Sequence, residues 1–226
     1  MLNIADIFDL SKTAHAAIFE GCAYPWDVLA KIEGYLSSIL KPELRNRCIG
    51  VAFIGDKVAT GEGTVVEDGA MIKGPALIGR NCLIRHSAYI RENVIIGDNC
   101  VIGNSTELKN VILFDGVVLP HFNYVGDSVL GYKVHLGAGA IVSNLKSLPG
   151  NVTVDISGTR IDTGLRKFGA MIGDEAEIGA NAVLNPGSII GRRAVVYPCV
   201  CWRGYLPPGA IAKNRAAIEV VQAKQD

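Results

Sequence analysis

The chain reads as an all-β core wound into a parallel β-helix. Three observations carry that reading: a six-residue aliphatic period, an excess of glycine, and a small residue at a fixed offset. Aliphatic side chains fall at Ile72, Ile78, Ile84, Ile90, Ile96, Ile102 and Leu108. One residue drops out before Leu113, Leu119 and Val125, and another before Leu130, Leu136 and Val142. The step of six returns at Ile172, Ile178, Leu184, Ile190, Val196 and Trp202. Of these nineteen positions eighteen are Ile, Leu or Val, and nine are followed directly by Gly. Four residues on, the side chain is mostly small, as at Ala76, Cys82, Ala88, Cys100 and Ala182. An α-helix needs apolar steps of three and four, and a hairpin sheet needs turns every eight to twelve residues. Period six instead predicts short strands meeting at corners, with aliphatic side chains stacked inward between coils. Glycine is expected to supply the corner conformations that a Cβ opposes.

The remaining elements follow in chain order. Residues 1–46 carry helical spacing, with a longer helix starting near Asp27 and ending at Lys41-Pro42. They are expected to form a helical cap over the open first coil, because a solenoid end exposes strand edges. Residues 47–212 form the β-helix. The stretch 143–171 breaks the repeat and is a long loop excursion of the kind that carries function. Residues 213–226 are expected as a C-terminal tail with a short helix.

Charge narrows the partners. Lys+Arg and Asp+Glu both number 22, which leaves no electrostatic case for nucleic acid or an anionic membrane. No apolar run approaches a membrane span, and the N-terminus lacks the pattern of a signal peptide, so the expected location is cytoplasmic. The six cysteines show neither Cys-x-x-Cys nor zinc-ligand spacing and are expected as reduced thiols.

Two features point to chemistry. Arg91 and Lys109 are 18 apart, hence stacked on one corner if a coil has three hexads. They are either two solvated cations or a seat for an anion, for which a phosphate is the natural partner. His121, in Pro120-His121-Phe122-Asn123-Tyr124, is either structural or a general base facing a groove.

The rows IGRNCLIRHSAYIRENVIIGDNCVIG and IGDEAEIGANAVLNPGSIIGRRAVV resemble the hexapeptide-repeat acyltransferases. That resemblance implies a left-handed β-helix with 18 residues per coil and a homotrimer. The stretches RENVIIG, ELKN, HFNYVGD and LGAGAIVSN are similar to the acetyltransferase domain of the bifunctional bacterial enzyme that makes UDP-N-acetylglucosamine. This implies an acetyl-CoA-dependent N-acetyltransferase acting on a hexosamine-1-phosphate in sugar-nucleotide biosynthesis, by direct transfer and without a metal. By the same resemblance His121 is the catalytic base. Arg91, Lys109, Tyr124, His135 and Asn144 bind the sugar phosphate. Ala138, Ala180, Pro198 and Arg215 line the acetyl-CoA site. Backbone N–H groups near Gly137-Ala138 would stabilise the oxyanion.

The chain departs from that family in three places. His135 stands where the family has a sugar-binding Asn, Ala180 replaces a Ser near CoA, and a longer segment follows Asn144. That segment, with Arg160, Arg166 and Lys167, is expected to reach a neighbouring subunit and line the CoA groove; Arg192 and Arg193 are further candidates for its phosphates. No nucleotidyltransferase motif is present. His86, His121 and His135 are too far apart in sequence for the three-imidazole zinc site of γ-type carbonic anhydrases. The alternative from another class is a non-catalytic sugar-phosphate or sugar-nucleotide binding module that docks a partner.

Overall fold

A computed structural model of the chain describes residues 2–156 and 158–214. They form a parallel β-solenoid of about nine turns, a left-handed β-helix of hexapeptide repeats. Each coil contributes short strands to three faces. The first face runs from Val58–Thr60 through Ala76–Ile78 and Val94–Ile96 to Tyr205–Leu206. The second includes Leu83–Ile84, Val101–Asn104, Val118–His121 and His135–Leu136. The third includes Tyr89–Ile90, Ile141–Val142, Val183–Leu184 and Cys201–Trp202. The two missing residues of the repeat shorten two corners. There the strands Glu107–Leu113 and Tyr124–Leu130 bend continuously from the third face into the first. Register accordingly steps by 18 from Ala76 to Val94, then by 17 to Val111 and to Ser128.

All eighteen aliphatic positions are buried in one core, and Trp202 packs partly against it. The glycines that follow them have a different cause from the expected one. None of the nine lies in the left-handed region. Those corner conformations belong to other residues, among them Asn81, Asn93, Asn99 and Asn181, and to glycines outside the repeat position such as Gly63, Gly116 and Gly139. The repeat glycines are required by the closeness of the next coil. A Cβ on Gly79 would lie 2.6 Å from the carbonyl carbon of Gly97, and one on Gly137 would lie 2.5 Å from the amide nitrogen of Ala180. On Gly103 it would fall inside the carbonyl of Pro120.

The N-terminal segment does not cap the first coil. It forms short turns of helix (Ile4–Ile7, Leu10–Lys12, Ala16–Phe19, Pro25–Lys31, Ile32–Ile39) laid along the first face. The expected single helix from Asp27 is thus a 3₁₀ stretch that passes into α-helix. The placement follows from what the first face shows to solvent. The central residue of each strand points outward, and these stack as Leu77, Ile95, Ile112, Val129, Met171, Ile189 and Tyr205. A sheet apolar on both faces must be covered on both. Phe8, Phe19, Trp26, Val28, Ile32 and Leu36 supply the cover, and Phe8 meets Phe114 at 5.4 Å between ring centroids. The first coil stays open, with Leu44 53%, Val51 81% and Phe53 54% exposed.

A carboxylate clips this layer to the solenoid. Asp174 accepts from the backbone N–H of Asp9 at 2.7 Å and of Tyr132 at 2.9 Å. Arg192 Nε lies 3.2 Å from both Asp174 and the Ile7 carbonyl. Arg192 therefore holds the N-terminal segment. The excursion leaves at Asn144 and re-enters at Phe168, whose N–H donates to the Asn144 carbonyl at 2.9 Å, so the coils stack on without a break. Its strands Thr153–Ile156 and Thr159–Asp162 form an antiparallel hairpin. Val152, Val154 and Phe168 are buried with Trp26 in the core of the helical layer. The root of the excursion thus packs on its own chain. All six cysteines are free thiols. Among the described residues no helix is long and apolar enough to cross a membrane.

Two predictions follow from packing and burial. Gly103→Ala is expected to cost several kcal/mol, since backbone rather than a movable side chain meets the new methyl. Gly34→Ala, in open space within Ile32–Ile39, should gain about 0.5–1 kcal/mol. Chemical denaturation of both variants reads the pair. Separately, burial pushes His15 below its ordinary pKa, against the pull of Asp115 and Asp98. The unfolded chain then takes this proton first, so the His15 contribution is full above the ordinary histidine value and is lost as pH falls from there through the lowered folded value. Thermal melts from pH 7.5 to 5.5 should show a smaller loss for His15→Gln than for the parent; equal losses would assign the acid sensitivity to other groups.

Candidate active site

Third-face residues that do not point inward form outward columns. Register pairs Tyr89 with Glu107 and Ile90 with Leu108, which sets Arg91 beside Lys109, and the Arg91 N–H donates to the Leu108 carbonyl at 2.9 Å. The two cations are bridged from within the chain. Glu92 Oε1 lies 3.5 Å from Arg91 Nη2 and 3.6 Å from Lys109 Nζ. Burial pushes the Glu92 carboxyl up, but its own backbone N–H, Arg91 and Lys109 outweigh this and hold it below its ordinary range. Arg91 Nη1 also donates to Glu107 Oε1 at 3.0 Å, which raises the guanidinium pKa further. Among the described residues, buried Arg91 Nε has no hydrogen-bond partner. An orphaned N–H of this kind costs about 1–3 kcal/mol, so it is an atom suited to an incoming acceptor.

Tyr124 follows Glu107 in the next coil, and its hydroxyl meets the Asn144 side chain. Burial raises the Tyr124 pKa, and Glu107 and Asp127 add to the rise. A Cβ on Gly126 would sit 2.5 Å from Asn144 Nδ2 and 2.7 Å from Tyr124 Oη, so glycine is what lets them converge. Asn144 is held by a ladder of 17-residue steps. Buried Asp127 accepts from Asn110 Nδ2 at 2.9 Å with one oxygen and from Asn144 Nδ2 with the other.

His121 ends the strand Val118–His121, at the corner where the second face turns into the third. Phe122 follows at φ 54°, a strained conformation for a bulky residue, with its side chain 60% exposed. Buried Asn123 pins the corner by donating to the carbonyls of Gly137 at 2.8 Å and Ala140 at 3.2 Å. The His121 ring stands exposed, and among the described residues its nitrogens have no hydrogen-bond partner. Below it, one per coil, stand Ala138, Ala180 and Pro198. The Gly137 N–H is spent on the Ile178 carbonyl at 2.6 Å, which removes it as an oxyanion donor; the Ala138 N–H has no partner among the described residues. Arg215 lies outside the described residues, as does most of the expected C-terminal helix.

His135 stands apart. It lies on the second face opposite Glu177, and its Nδ1 is 2.8 Å from Glu177 Oε2. With a carboxylate as partner, Nδ1 is the nitrogen that donates. The structure thus gathers Arg91, Lys109, Tyr124 and Asn144 on the third face, and His121, Ala138, Ala180 and Pro198 along the corner beside it. Sequence reasoning gave no role to Glu92, Glu107, Asn110 or Asp127. The 17-residue spacing of Asn110, Asp127 and Asn144 was the signal available for two of them.

Two family models match. One is described as the GMPPB C-terminal domain, over residues 72–163, and the other as the hexapeptide repeat of succinyl-transferase, over 169–197. The chain is a hexapeptide-repeat protein. Among curated relatives, a bifunctional sugar-1-phosphate nucleotidylyltransferase/acetyltransferase of Sulfurisphaera tokodaii is 41% identical over 92 residues, covering 41% of this chain and 23% of that one. The bifunctional protein GlmU of Methanococcus maripaludis is 44% identical over 173 residues, covering 76% of this chain and 42% of that one. The hexapeptide-repeat chain thus spans less than half the length of these relatives. Among solved structures, the polySia-specific acetyltransferase NeuO aligns at a TM-score of 0.34 and 16% identity, covering 81% of this chain and 89% of that one. That likeness is too loose to align individual site residues.

Asp127→Ala removes the shared acceptor of two amides in a buried position. It is expected to cost about 1–3 kcal/mol and to release the Asn144 side chain, whereas Asn110→Ala, which leaves the Asn144 contact intact, should cost less. Thermal melts of the two variants make the comparison.

Proposed function

We propose that the chain is an acetyl-CoA-dependent N-acetyltransferase acting on a hexosamine-1-phosphate in sugar-nucleotide biosynthesis. One observation carries the reading. Stacked Arg91 and Lys109, with the buried Arg91 Nε still lacking an acceptor, lie on the face that also holds Tyr124 and Asn144 and borders the corner of His121. A phosphate answers both needs, since it brings acceptor oxygens and more negative charge than the single Glu92 carboxylate it would displace. Tyr124 and Asn144 are placed to meet the sugar hydroxyls.

In the mechanism, His121 takes a proton from the sugar amine as its nitrogen attacks the thioester carbonyl. The Ala138 N–H steadies the oxyanion. Collapse breaks the C–S bond, and the thiolate leaves with the proton that His121 has carried. Most of the acceleration comes from holding two substrates in line, which asks no covalent chemistry of the protein. Cys82 and Cys100 are buried within the coils, which withholds both from an acyl-cysteine route. The half-buried aliphatic ladder Leu83, Val101 and Val118 on the second face suits burial between copies in a cytoplasmic homotrimer.

A second reading, a non-catalytic sugar-phosphate binding module, is favoured by one specific observation. Arg91 and Lys109 are already matched by Glu92 and Glu107, so the site is poised to bind a phosphate by exchange whether or not transfer follows. Thiol release from acetyl-CoA, with hexosamine-1-phosphates beside their unphosphorylated sugars, decides between the two. Turnover that requires the phosphate is expected. His121→Ala should lower kcat about 10²–10⁴-fold with an unchanged melting temperature. Phosphate-dependent binding without turnover would leave the binding module.

A further inference from the structure

Two arginines outside the site described above face a pair of adjoining hollows. The smaller, about 370 Å³, is lined by Thr153, Asp155, Arg160, Arg203 and Gly204. The larger, about 500 Å³, opens toward Ser143, Lys146 and Asn185 and shares Arg160 and Arg203 with the first. Arg160 is fixed by the hairpin, where register sets it opposite Asp155. Arg203 is fixed by the solenoid. It follows Trp202, which pairs with Leu184, so it stands below Asn185 and Ser143 in the same outward column as Lys109 and Gly126. Asp155 shares the smaller hollow, yet among the described residues neither guanidinium forms an ion pair; the Asp155 carboxylate accepts the Gly158 N–H at 3.1 Å.

Between this cationic end and His121 the surface is small or apolar. Ala138, Ala180 and Pro198 line one edge, and the outward residues Ile141, Val183 and Cys201 make the floor. From the level of His121 to that of Pro198 is three coil steps, about 14 Å at ordinary strand spacing. The arm of an acyl-CoA runs about thirteen bonds from sulfur to the first phosphorus, about 16 Å when extended. A thioester placed at His121 therefore brings the diphosphate to the level of Arg203. The hairpin brings Arg160 to the same place, which gives the insertion a use within its own subunit.

We propose that Arg160 and Arg203 form the seat for the diphosphate of the acyl donor. The proposal rests on the acyltransferase reading and extends it to two residues that lie off the corner column. Calorimetric titration of CoA and of pantetheine, which lacks the nucleotide and diphosphate, tests it without need of turnover. In the parent, CoA should bind more tightly than pantetheine. Arg160→Ala/Arg203→Ala should weaken CoA by about tenfold or more, as loss of two charge-assisted contacts implies, and leave pantetheine unchanged. Arg80→Ala, which removes a guanidinium paired with Asp98 outside both hollows, should bind CoA as the parent does. Arg160→Lys/Arg203→Lys, which keeps the charge, should recover part of the affinity and guards against a folding defect. Parent-like CoA affinity in the double alanine variant overturns the seat and leaves the acyltransferase reading standing. CoA binding that depends on both arginines, without acetyl transfer to any sugar phosphate, supports the seat and overturns the reading of the acceptor. No CoA binding by the folded parent overturns both.

Discussion

The close approach of one coil's backbone to the next is the constraint on which the rest of this structure depends. Coils can stack at strand spacing only where no Cβ intervenes at the corners, and Gly79, Gly103 and Gly137 each face backbone of the following coil. With approach that tight, register cannot drift. A residue's outward neighbours are then set by arithmetic, 18 residues on in regular coils and 17 where a corner is shortened. The site inherits its precision from this. Arg91 lies beside Lys109, and Ala138 lies below His121, because both are carried by ladders that cannot slip. Loops contribute little to the placement of these side chains, apart from the corner turn that Asn123 pins.

The three faces divide the labour. The first is apolar inside and out, and it is consumed by the helical layer and the root of the excursion, which share one core around Phe114, Phe168 and Trp26. Cover on that side leaves the third face and its flanking corners open to solvent. The excursion joins the two regions. Its buried residues anchor it in the shared core, while Arg160 stands at the edge of the third face. An insertion that only filled space would need the first property and not the second.

The solenoid was legible because its signal is redundant: eighteen inward side chains repeat one environment. What was not legible depended on outward residues, whose neighbours appear only once register is known. The aliphatic triplets Val94-Ile95-Ile96 and 111–113 imply a first face buried on both sides, and that clue places the helices on the flank rather than over the first coil. Glycine misled in the opposite way. The residue type was informative, but at the repeat positions its cause was steric contact between coils, while the left-handed role is shared between Asn and other glycines such as Gly116 and Gly139. Stacking of Arg91 on Lys109 followed from spacing alone. The carboxylates around them did not, because Glu92 reaches both cations from the turn of the corner, where no periodicity applies.

Those carboxylates change how the pair should be understood. Two stacked cations left alone would repel and splay into solvent, and their separation would then depend on whatever ligand arrived. With Glu92 between them they are held together beforehand, and Glu107 fixes the other edge of the guanidinium. The four charges sum to zero, so the cluster exerts little long-range pull, and on the proposed reading its selectivity rests on exchange at short range. A monoanionic ligand would at best replace one carboxylate by another. A phosphate offers a second charge and further oxygens, one of which can satisfy the buried Arg91 Nε that Glu92 and Glu107 leave without a partner. On the proposed phosphate reading, preorganisation by carboxylates would thus discriminate by charge and by acceptor count together, which two unpaired surface cations would not do.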